Sequence, residues 1–170
     1  MRVVVADATP LHYLILADAV EILPRLFGHL YIPAEVREEL TRAATPRVVR
    51  EWIEHAPTWL EVVFPAREAS EVSAELRGLH SGERQAIALA EHLRADLLLI
   101  DERAGVEVAQ KRGLSVTGTL GILDLASRSG LVELKEVFGK LQKTNFRYPP
   151  SVMERLVEEE EQRRSGEDRG

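Results

Sequence analysis

Asp7, Glu39, Glu83 and Asp101 are the residues of this chain whose type and placement fit catalysis. Asp7 closes the apolar run Val3-Val4-Val5-Ala6, and Asp101, followed by Glu102, closes Leu97-Leu98-Leu99-Ile100. A short continuous apolar run reads as a strand buried on both faces, and an acid just after it stands at the carboxyl edge where α/β sheets bind ligands. Val36, Glu39 and Leu40 stand at i, i+3 and i+4, so a helix there carries Glu39 at the edge of its buried stripe. Glu83, Ile87 and Ala90 stand at i, i+4 and i+7, which aims Glu83 along a core-facing stripe from the first turn of its helix. Gathered carboxylates raise one another's pKa unless a counter-charge is present. A divalent cation supplies it, and Mg²⁺ prefers such oxygen ligands. Metal sites of this kind activate water and stabilise the oxyanions of phosphodiester cleavage.

Each acid alone has a plainer explanation. Asp at a strand end often caps the next helix, and Glu in a first turn is favoured by the helix dipole. Glu39 shares its helix with the solvent-facing Glu35 and Glu38, and Glu102 fits helix capping or outer support of the site. As a set, on two matching strand ends and two inward stripes, they favour function. No rival constellation competes. The chain has no cysteine, which removes disulfides and thiolate metal sites and fits a reducing cytoplasm. Its five histidines lack a zinc spacing, and neither a P-loop nor a G-x-G-x-x-G is present. A phosphatase of the haloacid-dehalogenase type needs Asp where Thr9 stands.

The elements that must position these acids alternate along the chain. Strands are expected over 2–6, 30–32, 60–63, 97–100 and 114–116. Thr9 and Pro10 read as a helix start, with a break near Pro24 and a stop at Gly28. Pro33 opens a helix to about Arg42, and others follow over 48–53 and 70–77, the last two separated by the 60–63 strand and a turn at Pro65. Ser81 reads as an N-cap, Gly113 as the C′ residue of a helix over 103–112, and Gly130 as the end of another. A helix carries Leu134, Val137, Phe138 and Leu141, and a capping box from Ser151 to Glu154 starts the last one. Alternation of this kind predicts an α/β fold with a mostly parallel central sheet flanked by helices on both faces. With 170 residues, 45% of them hydrophobic, the chain reads as one domain over 1–161 with a disordered tail over 162–170. Asp7, His12 and Asp18 interrupt the N-terminal apolar stretch, so neither a signal peptide nor a membrane span is expected.

At these residues the chain resembles the PIN-domain family, and within it the VapC-like toxin ribonucleases and the PIN-like proteins formerly of unknown function. The carrying segments are Val5-Ala6-Asp7-Ala8-Thr9-Pro10-Leu11, Ile32-Pro33-Ala34-Glu35-Val36-Arg37-Glu38-Glu39-Leu40, Ser81-Gly82-Glu83-Arg84-Gln85-Ala86-Ile87-Ala88-Leu89-Ala90 and Leu99-Ile100-Asp101-Glu102-Arg103-Ala104-Gly105. Val116-Thr117-Gly118-Thr119-Leu120-Gly121 fits as well. The resemblance implies a metal-dependent endoribonuclease, the toxin of a toxin–antitoxin pair, with Asp7, Glu39, Glu83 and Asp101 holding Mg²⁺ or Mn²⁺. It implies a homodimer in the cytoplasm, an RNA substrate and an antitoxin protein as partner. Thr9 matches the family's small polar residue that orients the first Asp or a metal-bound water. Glu102 stands where the family commonly has Asp, and Glu83 where many VapC-type toxins have Asp. The alternative is a PIN-like module that binds proteins and is catalytically silent.

A net charge of -6 argues against broad nonspecific nucleic-acid binding but leaves room for a local basic rim. Arg37, Arg84 and Arg103, with Arg42, Lys111 and Arg112, flank the acidic elements and are candidates to grip RNA phosphates. An aromatic content of 5% predicts little base stacking, and so recognition of RNA shape.

Overall fold

The computed structural model describes residues 2–64 and 76–170. Its sheet has five strands, all parallel, in the order β3-β2-β1-β4-β5. They are β1 (Val4–Ala6), β2 (Leu30–Pro33), β3 (Leu60–Val63), β4 (Leu97–Leu99) and β5 (Val116–Thr117). Among the described residues the helices are α1 (Ala8–Leu16), α2 (Ile22–Phe27), α3 (Ala34–Leu40), α4 (Arg47–Glu54), α5 (Ser81–His92), α6 (Arg103–Lys111), α7 (Thr119–Arg128), α8 (Leu134–Gln142) and α9 (Pro150–Glu167). None of them is long and apolar enough to cross a membrane.

Strand pleating divides the apolar runs between two cores. Val4, Ala6 and Leu99 face one cluster, which α1, α2, α4, α7, α8 and α9 close. Val5, Leu98 and Ile100 face the other, against α5 and α6. The two central strands are therefore apolar at every position, as a sheet covered on both sides requires. The chain lays down β1, β2 and β3 outward, then returns to place β4 on the free side of β1. That reversal opens a crevice at the carboxyl ends of β1 and β4, and Asp7 and Asp101 stand there. The helix α3 packs against both α1 and α5, so it bridges the two layers above that edge.

Several boundaries differ from the sequence reading. Asp7, rather than Thr9, is the N-cap of α1, and Pro10 is its third residue. Proline is tolerated there because the first N–H groups of a helix have no partner to lose. The break after α1 falls at Ala17 to Glu21, where Asp18 takes φ 53°, and Pro24 lies inside α2. His80 and Pro149 stand at the N-caps expected of Ser81 and Ser151. The tail expected to be disordered from Gln162 is helical to Glu167. Glu160 anchors that helix. It is buried, accepts the Ser127 hydroxyl at 2.7 Å and the Leu134 N–H at 3.1 Å, and pairs with Arg164 at 3.2 Å. The turn at Pro65 and most of the helix over 70–77 lie outside the described residues.

Candidate active site

Asp7 is 2% exposed, and its Oδ1 is buried without a hydrogen-bond partner. It occupies the N-cap position of α1 without a side-chain capping bond. Its backbone N–H instead donates to the Leu99 carbonyl at 2.8 Å, which ties it to the end of β4. Burial pushes its carboxyl up to about 7 against a backbone hydrogen bond from Ala8, and the charges of Glu39, Glu83 and Asp101 add to the rise. The other three acids singled out by sequence are thus within electrostatic reach of Asp7.

Glu39 reaches this place from α3. A Cβ added at Gly82 would lie 2.7 Å from Glu39 Oε2 and 3.5 Å from Asp7 Oδ1, so both oxygens converge on the bare backbone of α5's first turn. A Cβ there would displace the flexible tip of Glu39, so glycine leaves the carboxylate its position. Glu83 is the next residue, 8% exposed, and its carboxyl is raised by burial, with Glu102 and Glu39 adding to the rise against His80. Asp101 is held differently. The Thr119 backbone N–H donates to its Oδ1 at 2.7 Å and the Thr119 hydroxyl to its Oδ2 at 2.6 Å. Burial still lifts its carboxyl above the ordinary value, against those two bonds. Gly118 leaves room for this clasp, because a Cβ there would stand 2.5 Å from Asp101 Oδ1. Thr119 and Gly82 are site residues that the stripe and strand-end arguments missed. Their only sequence signal was membership in the matched segments.

Among the described residues none of the four acids makes an ion pair. Nor do any three His, Cys, Asp or Glu side chains there converge in a geometry that would hold one ion. The acids are neighbours rather than a finished cage. What they offer a cation is an all-oxygen donor set, uncompensated negative charge and one orphaned buried oxygen, and on that chemistry they fit a hard divalent ion.

A family model described as the PIN domain matches residues 3–162. The chain belongs to the PIN-domain family. PIN domains are generally nucleases and typically use divalent metals. A search of curated proteins found no significant match.

In this PIN domain an open groove of about 580 Å³ is lined by Glu39, Asp101 and Glu102, with Asp7 and Glu83 outside its lining. Thr9 lines the groove but makes no hydrogen bond to Asp7 among the described residues. Glu102 sits exposed at the N-cap of α6 without a side-chain capping bond, so its capping explanation fails. The basic residues divide. Arg103 lines the groove while pairing with Glu107 at 3.0 Å, and Arg42 and Arg147 line it as well. Arg37 is exposed on α3 outside the lining, and Arg84 sits half-buried beside Glu83 with its Nε unpartnered. Arg112 instead clasps Glu91 at 2.5 and 2.9 Å, fastening α6 to α5.

Proposed function

We propose that this PIN domain is a metal-dependent endoribonuclease that hydrolyses RNA phosphodiesters, the toxin of a toxin–antitoxin pair. The observation that carries the reading is the buried, unpartnered Asp7 Oδ1 facing Glu39 across Gly82. An uncompensated carboxylate at this depth costs folding free energy, which is the mark of a functional site more than of a structural one.

Asp7, Glu39, Glu83 and Asp101 would hold Mg²⁺ or Mn²⁺. A bound divalent ion supplies a water nucleophile at neutral pH and stabilises charge on the phosphoryl oxygens. The chain's own residues do the positioning. Thr119 fixes the rotamer of Asp101 through two donors, so this ligand is aimed before substrate arrives. Gly82 keeps side-chain atoms away from Glu39 and Asp7, and Gly118 keeps them away from Asp101. Arg42, Arg103 and Arg147, on the groove walls, would take phosphates flanking the scissile one. Arg37 and Arg84 would extend that contact beyond the groove. Glu102 and Thr9 at the rim would orient water or the neighbouring carboxylates. The openness of the acidic groove also fits an antitoxin segment that brings a basic side chain to the acids, and a homodimer is the assembly proposed for the free toxin.

The test is cleavage of a labelled mixed RNA pool by purified protein with Mn²⁺ or Mg²⁺, beside EDTA and Asp101→Asn controls. Cutting that needs both the metal and Asp101 supports the reading; cutting that survives either control refutes it. The second reading is a catalytically silent protein-binding module, favoured by the lack of a converged three-ligand cluster among the described residues. Calorimetric titration with Mn²⁺ separates the two, since the silent module gives no heat of binding.

A further inference from the structure

One wall of the groove is aromatic. Tyr13 and Phe146 line it with His12 at the end of the row, and Tyr148 lies outside the lining against Phe146. The ring of His12 meets Tyr13 edge-on at 4.8 Å, Tyr13 meets Phe146 edge-on at 4.9 Å, and Phe146 and Tyr148 lie nearly parallel, 18° apart at 6.1 Å. These rings come from α1 and from the connector between α8 and α9. His12, Tyr13, Asn145, Phe146 and Arg147 all line the groove that contains Glu39 and Asp101.

The wall is held in place. The Thr144 hydroxyl donates to the Leu141 carbonyl at 2.6 Å and accepts the Phe146 N–H at 3.1 Å, which locks the turn that presents Phe146. Pro149 and Pro150 stiffen the chain directly after Tyr148. The Tyr13 hydroxyl donates to Asn145 Oδ1 at 2.9 Å, so the Asn145 amide is oriented while its NH₂ and a second lone pair remain for a ligand. Tyr13 also feels two charged groups of the groove: beyond its burial, Asp101 raises its pKa and Arg147 lowers it.

We propose that this wall is a nucleobase subsite: Phe146, backed by Tyr148, stacks an unpaired base beside the scissile phosphate, Asn145 reads that base's edge, and Arg147 takes the adjoining phosphate. The inference rests on the ribonuclease reading and adds to it which residues set sequence preference. Flat rings, an oriented amide and a cation on one wall match the parts of a nucleotide. An oriented Asn amide pairs best with a base edge that offers a donor beside an acceptor, as adenine does. Composition alone pointed to recognition by RNA shape; folding concentrates the few rings where a base would lie.

The test is binding, not cleavage. Asp101→Asn serves as the common background so that RNA stays intact, and the probe is a short oligoribonucleotide carrying a fluorescent adenine analogue whose emission falls on stacking. The parent background should quench the probe and bind it more tightly than the same oligonucleotide with that base removed. Phe146→Leu keeps an apolar side chain and loses the ring face; it should cost roughly 10-fold in affinity and abolish the quenching. Asn145→Ala, an exposed change, should reduce the preference for adenine over other bases. Circular dichroism and Tm confirm that each variant is folded. If both folded variants bind and quench like the background, the subsite is overturned while the nuclease reading stands. If the background binds no RNA at all, both readings fall.

Discussion

Replacing Asp7 by Asn should make the metal-free protein more stable at alkaline pH. In the folded chain Asp7 holds its proton up to about 7, against an ordinary value of 3.8. Between those values the folded state binds more protons than the unfolded state, so stability falls as pH rises through the window. A span of about three pH units at ~1.4 kcal/mol each sets an upper limit of about 4 kcal/mol on the destabilisation above pH 7. Glu83 and Asp101, also raised, act with the same sign. Asn carries no charge at any pH, and its amide needs partners of its own, worth about 1–2 kcal/mol if unmet. The net gain for Asp7→Asn at pH 8 is therefore about 2 kcal/mol, or roughly 4–8 °C in Tm. The assay is thermal and urea unfolding of both proteins in EDTA from about pH 5.5 to about pH 8. The parent should lose stability across that range and the variant should lose much less. Adding Mn²⁺ should then raise the parent's Tm and leave the variant's nearly unmoved, because only an ion bound to the folded state stabilises it. The reasoning is refuted if the parent's stability is flat or rises with pH in EDTA, or if Asp7→Asn is the less stable protein at pH 8.

Three other substitutions probe the supports of the site and of the last helix. Thr119→Val keeps the shape and removes the hydroxyl bond to Asp101; unfolding at neutral pH should show a loss of about 1.5–3 kcal/mol, and the activity–pH curve should move to higher pH because a bond favouring ionised Asp101 is gone. Gly82→Ala sets its Cβ against the flexible tip of Glu39, so better helix propensity offsets the crowding and Tm changes little; Mn²⁺ affinity by calorimetry should fall by roughly 10-fold or more as Glu39 is displaced. Glu160→Ala strands the buried Leu134 N–H and should cost about 2–3 kcal/mol; hydrogen exchange should show α9 opening first.

Much of the frame was legible in the sequence. The continuous apolar runs before Asp7 and Asp101 identified central strands because a strand covered on both faces cannot alternate. Helical spacing carried Glu39 and Glu83 inward for the same kind of reason, and the matched segments identified the PIN-domain family. These signals are local: each depends on neighbours within a turn or a strand. Helix starts were less legible, because Asp7, His80 and Pro149 occupy N-caps without any side-chain capping bond that a sequence pattern could register.

Tertiary structure alone decided the rest, because packing joins residues whose separation no periodicity spans. It set Thr119 on Asp101, and the bare backbone of Gly82 between Asp7 and Glu39. It turned Arg112 away from the groove to Glu91, and it brought Tyr13 to Asn145 across 132 positions of chain. The types and order of the acids are a property of the sequence; their mutual distance, burial and orientation follow from the crossover that sets β4 beside β1.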